Sequence, residues 1–73
     1  MSKLPIMSGS DMVKAMSKIG YYVRDQKGIH IHLRHPFKKP LTIPNHKEIA
    51  RGTVKAILKD AEVPTEKFIK LLK

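Results

Sequence analysis

Hydrophobic residues recur at helical spacing in three stretches of the chain. The first follows the helix-starting residues 8–11 and ends before Gly20, the second runs from about Gly52 to Ala61, and the third begins near Pro64. Apolar side chains three or four residues apart are the signature of an amphipathic helix. The predicted inward-facing residues are Met12, Val13, Met16 and Ile19, then Val54, Ile57, Leu58 and Ala61, then Phe68, Ile69 and Leu72.

Strict alternation of apolar and polar residues marks the stretch between the first two helices. It predicts a half-buried strand, because successive side chains of a strand point to opposite faces. Flanking strands are predicted at residues 21–26, before a Lys27-Gly28 turn, and at residues 41–43, before Pro44. The apolar side of the middle strand is Ile29, Ile31 and Leu33, and its polar side is His30, His32 and Arg34.

These elements predict an α+β domain with the order helix, three strands, helix, helix. Short links between the strands favour an antiparallel meander, and the helices are expected on one face of that sheet. Residues 1–7 have no period and contain Pro5, so we interpret them as a flexible N-terminal arm, with residues 8–73 as one domain.

Charge dominates the composition. The chain of 73 residues has 15 Lys and Arg against six Asp and Glu, a formal net charge of +9. So basic a domain is expected to bind polyanions, nucleic acid first and an anionic membrane or an acidic protein next, although a merely solvated surface is the alternative. The basic residues near the predicted sheet, its loops and the second helix are Arg24, Lys27, Arg34, Lys38, Lys39, Arg51 and Lys55.

The chain has no cysteine, which excludes disulfides and thiolate metal sites and fits a reducing cytoplasm. No apolar run approaches the ~20 residues that span a bilayer, and the N-terminus lacks the apolar region of a signal peptide. We therefore expect a cytoplasmic protein that does not interact with a membrane.

Histidines on the polar side of the middle strand are the candidate chemistry. His30 and His32 with His35 and His46 form a poor metal site, since carboxylates are few and the surroundings are basic. Acid–base cleavage of RNA needs a proton-transfer group and cations for the phosphate charge, and one histidine flanked by Lys27 and Arg34 supplies that minimum. From spacing alone, an ordinary exposed histidine remains the commoner interpretation.

Read as a whole, residues 8–72 resemble the HicA toxins, small mRNA-cleaving partners of toxin–antitoxin pairs. The resemblance depends on the order and spacing of several short motifs rather than on any one of them. These are Ser8-Gly9, Gly20-Tyr21, Gln26-Lys27-Gly28-x-His30, Ile43-Pro44-x-His46, the run from Gly52 to Lys59, and Phe68-x-x-Leu71-Leu72.

The resemblance implies a fold like that of a double-stranded-RNA-binding domain, and an endoribonuclease that needs no metal or other cofactor. It places His30 at the position of the family's catalytic histidine and leaves His32 without a catalytic role. Asp25 and Ile29 depart from the family's usual arginine and serine. The RNA-binding residues expected around His30 are Lys27, Gly28, Arg34, Lys38 and Lys39.

The resemblance also implies a partner, a HicB antitoxin that covers the active site, and an acidic antitoxin would suit the positive charge. Two other interpretations stay open at this stage. One is a non-catalytic RNA-binding module that uses the same basic face. The other is an interaction protein retained only for antitoxin binding.

Overall fold

The computed structural model describes residues 4–72 and has the element order that the sequence predicts. Its three strands form one antiparallel sheet in the order β1-β2-β3. The α+β class is therefore confirmed. The strands are β1 (Tyr22–Lys27), β2 (His30–Arg34) and β3 (Leu41–Pro44), and the helices are α1 (Gly9–Ser17), α2 (Arg51–Ala61) and α3 (Thr65–Leu71).

The helices cover one face of the sheet and leave the other face open. Helix α1 contacts β1 and β3, α2 contacts β3, and α3 packs on α1 and α2. The buried sheet residues beneath the helices are apolar, and full burial of each such side chain is worth about 1.5–3 kcal/mol. They are Ile31 and Leu33 of β2 with Leu41 and Ile43 of β3.

Helix α1 begins against the end of β3. Ser8 and Asp11 form a capping box, in which the Ser8 hydroxyl accepts from the Asp11 N–H and the Asp11 carboxylate accepts from the Ser8 N–H. The Gly9 N–H donates to the His46 carbonyl at 2.9 Å. A Cβ on Gly9 would lie 2.5 Å from the Pro44 carbonyl oxygen, so only glycine permits this approach.

The end of α1 fixes the loop that follows β2. Gly20 has a φ of +103°, and the N–H groups of Gly20 and Tyr21 return to the carbonyls of Ser17 and Met16, the hydrogen-bond pair of a Schellman motif. Because Gly20 has no Cβ, the His35 ring can approach and donate from Nε2 to the Ile19 carbonyl at 2.8 Å.

The N-terminal segment contributes to the core. Leu4 and Met7 are both buried, and the Ile49 N–H donates to the Met7 carbonyl at 2.7 Å. Arg51 donates from Nε to the Leu4 carbonyl at 3.1 Å. The sequence analysis assigned residues 1–7 to an arm because they show no hydrophobic period and contain Pro5. Residues 4–7 instead pack on the domain, and residues 1–3 lie outside the described residues.

Two glycine substitutions should distinguish the effect of a close backbone contact on stability from the effect of helix propensity. Gly9→Ala places a methyl group against the backbone of Pro44 and Asn45, and overpacking of this kind destabilises by roughly 1–3 kcal/mol. Gly52→Ala, in α2, meets no atom within 4 Å and should stabilise by up to about 1 kcal/mol. Thermal unfolding measures both, and an unchanged Tm for Gly9→Ala would contradict the tight contact.

Candidate active site on the open face of the sheet

The strand register determines which side chains share the open face of the sheet. Residues directly opposite each other in antiparallel strands lie on the same face. Lys27 of β1 and Pro44 of β3 flank His30 of β2, while Asp25 and Thr42 flank His32. We use the name open face for Tyr22, Asp25, Lys27, His30, His32, Arg34, Thr42 and Pro44.

His30 is the exposed first residue of β2. Lys27 is its direct partner across the hairpin, and Cβ atoms of such pairs are about 4.5–5.5 Å apart. The Lys27 and His30 side chains therefore leave the sheet side by side. The pair places an imidazole and a cationic side chain at the hairpin end of the open face.

The hairpin turn consists of Gly28 and Ile29. Gly28 has a φ of +57°, a Cβ there would meet nothing within 4 Å, and its carbonyl accepts from the Gln26 amide at 3.0 Å. The expectation that Ile29 extends the apolar side of β2 is wrong, because Lys27 already pairs with His30 and leaves Ile29 in the loop, 49% exposed. The Asn45 N–H donates to the Ile29 carbonyl at 2.6 Å and ties the turn to the end of β3.

A second histidine on the open face has a carboxylate partner. His32 Nδ1 lies 2.6 Å from Asp25 Oδ1, and the two side chains are 34% and 41% exposed. The hydrogen bond from His32 lowers the pKa of Asp25, and the charges of His32, Arg24 and Lys27 act in the same direction. An ionised carboxylate only accepts hydrogen bonds, so Nδ1 of His32 carries the hydrogen and Nε2 is the nitrogen left for other partners.

The other predicted RNA-binding residues lie toward the far end of β2. Arg34 is exposed and stands opposite Tyr22, about 13 Å along the strand from His30 at ~3.3 Å per residue. Lys39 is exposed in the loop after β2. Lys38 is half-buried and donates from Nζ to the Ala61 carbonyl at 2.9 Å, so its ammonium contacts the C-terminal end of α2. The cationic residues predicted to bind RNA therefore form two groups. Lys27 lies at the hairpin end of β2, and Arg34, Lys38 and Lys39 lie at or beyond its far end, with the Lys38 ammonium turned toward the helix layer.

The loop after β2 also presents an aromatic residue that the sequence analysis did not select. Phe37 is 92% exposed. His35 Nδ1 accepts from the N–H groups of Phe37 and Lys38, and the Tyr21 hydroxyl donates to the Lys39 carbonyl at 2.9 Å. The loop is thus anchored on both sides of an exposed ring. Its signal in the sequence is an aromatic residue followed by two lysines, and an aromatic ring beside cations is a combination used to bind single-stranded nucleic acid.

Two features are absent from residues 4–72, the part of the chain that the structure describes. Within them no group of three or more His, Asp or Glu side chains is arranged to hold a metal ion. The same part of the chain contains no helix long and apolar enough to cross a membrane.

Comparison with known proteins places the chain in a family. A family profile described as "HicA toxin of bacterial toxin-antitoxin" matches residues 9–63, so the chain belongs to the HicA toxin family. It is similar to a chain of a solved structure titled "Toxin-Antitoxin complex from Streptococcus pneumoniae", with a TM-score of 0.70 and 33% identity. The match covers 78% of this chain and 98% of the other. The comparison with curated proteins gives no significant match.

The bond between His32 and Asp25 predicts a pH-dependent contribution to stability. The folded-state pKa of Asp25 is below its ordinary value of 3.8, so the contribution is present above that value and is lost as the pH falls through the folded pKa. Asp25→Asn should therefore be less stable than the wild type near neutral pH and equal to it in acid. Urea unfolding across that pH range measures the difference, and a constant gap between the two proteins would contradict the prediction.

Proposed function

We propose that this member of the HicA family is a toxin that cleaves mRNA without a metal ion, with His30 as a general acid or base. The observation that carries the proposal is the pairing of His30 with Lys27 at the exposed hairpin end of the open face. A proton-transfer group beside a cation is the minimum that phosphodiester cleavage by a 2′-hydroxyl requires. Since mRNA is the substrate, the proposed site of action is the cytoplasm.

The proposed reaction uses the ribose of the substrate as nucleophile. The 2′-oxygen attacks the neighbouring phosphorus, its proton passes to a base, and the bond to the 5′-oxygen breaks as that oxygen gains a proton. The products are a 2′,3′-cyclic phosphate and a 5′-hydroxyl. In this scheme Lys27 stabilises the negative charge that develops on the phosphate oxygens, and the exposed backbone at Gly28 lets the RNA approach closely.

The proposed RNA path runs from the hairpin along β2 to the loop that follows it. Arg34 and Lys39 would hold phosphates beyond the cleaved one, and Phe37 would stack on an unpaired base. The spacing of about 13 Å between His30 and Arg34 leaves room for more than one nucleotide along this path. Lys38 retains a role in the proposal as a nearby cation, although its ammonium contacts Ala61.

The proposed partner is a HicB-type antitoxin. The similar chain from Streptococcus pneumoniae comes from a structure whose title names a toxin–antitoxin complex. An acidic antitoxin that covers the open face would be attracted to a chain of formal charge +9 and would keep RNA from His30.

Replacing His30 with Ala should abolish RNA cleavage while RNA affinity and folding stay close to wild type. General acid–base groups contribute ~10²–10⁴ in rate, and His30 is exposed and makes no contribution to the core. The measurement is single-turnover cleavage of a labelled RNA. Cleavage at the wild-type rate by His30→Ala would contradict the assignment of His30.

Chelation and substrate controls distinguish the proposed chemistry from its rivals. Activity should survive EDTA, and RNA with a 2′-deoxyribose at the cleavage position should resist. Loss of activity with EDTA and its return with a divalent cation would contradict the metal-independent mechanism. A wild-type protein that binds RNA but never cleaves it would favour the RNA-binding module.

Salt dependence should show which lysines contact phosphates. In a His30→Ala background, which prevents cleavage, Lys39→Gln should flatten the log–log salt slope by about 0.7 if one phosphate contact is lost. Lys55→Gln on α2 removes the same charge from the helix layer and should leave the slope unchanged. If Lys39→Gln and Lys55→Gln both keep the salt slope of the His30→Ala background, Lys39 lies outside the RNA path.

A further inference from the structure

We propose that His32, held by Asp25, is the second proton-transfer group of the active site and the general acid that protonates the leaving 5′-oxygen. This inference rests on the proposed function, since it assigns a further residue to the same cleavage reaction. It starts from the hydrogen bond of 2.6 Å between His32 Nδ1 and Asp25 Oδ1.

The position of His32 suits a group that acts beside His30. The two residues are separated by one position on β2 and therefore point to the same face, about 6.6 Å apart along the strand. Proton donors and acceptors in catalysis lie ~2.6–3.2 Å from the atoms they serve. A phosphodiester bound over β2 can therefore have its 2′-oxygen near one imidazole and its 5′-oxygen near the other.

The partner of each histidine fits a different role. His32 has a carboxylate 2.6 Å away that can neutralise an imidazolium, whereas His30 is flanked across the strands by Lys27 and Pro44. A cationic general acid would thus have its charge compensated at His32, and the cationic neighbour leaves the role of base to His30. The other charged residue next to His32 on its strand face is Arg34, and Thr42 faces it from β3 without charge.

The proton balance of the reaction closes with these two residues. His30 takes the proton of the 2′-hydroxyl as the bond from the 2′-oxygen to phosphorus forms. His32 gives the proton on Nε2 to the 5′-oxygen as the bond from phosphorus to that oxygen breaks. No electrons are transferred, and exchange with water returns both imidazoles to their starting states.

A contribution to the stability of the fold does not by itself explain the pair of His32 and Asp25. Both side chains are partly exposed, and exposed ion pairs contribute little to stability because water and salt screen their charges. Asp25 is a positioning residue here: it fixes the hydrogen on Nδ1 and holds the ring so that Nε2 is presented away from β1, the arrangement that catalytic carboxylate–histidine pairs use.

An RNA with a bridging 5′-sulfur at the cleavage position tests the assignment. The thiolate leaving group needs no proton, so loss of a general acid should be hidden on this substrate. His32→Ala should lose ~10²–10⁴ in rate on ordinary RNA and recover to near the wild-type rate on the sulfur substrate. His30→Ala should be slow on both. Asp25→Asn should lose a smaller factor than His32→Ala, recover on the sulfur substrate, and show an altered alkaline limb in its pH–rate profile, the limb that a general acid determines.

His32→Gln, which keeps a polar side chain on β2, repeats the test if His32→Ala unfolds. Lys55→Gln on α2 serves as the control outside the open face. Wild-type rates for both His32 variants on ordinary RNA would overturn the inference while leaving His30 in place. Equal losses on the two substrates would also overturn it, because they would indicate a role other than acid. An inactive wild type, or an active His30→Ala, would instead refute the proposed function itself.

Discussion

The pairing register of β1 and β2 is the constraint on which the candidate site depends. Gly28 adopts a positive φ in a two-residue loop, and this places Lys27 opposite His30. A slip of one residue would turn both strand histidines toward the helices and expose the two buried aliphatic residues of β2. The register shift between Val23 and Asp25 places Val23, rather than Arg24, opposite Leu33. Continued regular pairing would have put a guanidinium on the face that the helices cover.

The far end of β2 is held by different contacts from the hairpin end. Together, the contacts at the two ends fix the length of the open face. At the hairpin end, the backbone bond from Asn45 to Ile29 ties the turn to β3. At the other end, His35 connects the end of α1 to the backbone of the following loop and packs edge-on against Tyr21, with ring centroids 4.8 Å apart. Substrate-positioning groups need such rigidity, because small displacements of reacting atoms reduce rate strongly.

Local patterns predicted most of the fold and part of the site. Alternation along β2 was enough to put His30 and His32 on the polar side of the strand, but the turn was placed at Lys27 and Gly28 rather than at Gly28 and Ile29. The pattern did not reveal the bond between Asp25 and His32, because that pairing depends on the register. The contact of Lys38 with Ala61 spans 23 residues and depends on where α2 ends in space. Ile29 was misplaced since an apolar residue in a turn continues the period of a strand.

On the open face, the charge of Asp25 toward a bound phosphate has to be considered together with the charge of His32. Of the residues that form this face, Lys27 and Arg34 attract a phosphate and Asp25 alone carries a carboxylate that would repel one. The hydrogen bond from His32 occupies that carboxylate, and a proton on the second nitrogen of the ring would cancel its charge. In the proposed reaction, donation of this proton to a leaving oxygen would restore the negative charge beside the newly formed products. The same pair that tolerates the substrate would then disfavour the bound phosphate once cleavage is complete, since like charges placed close together repel.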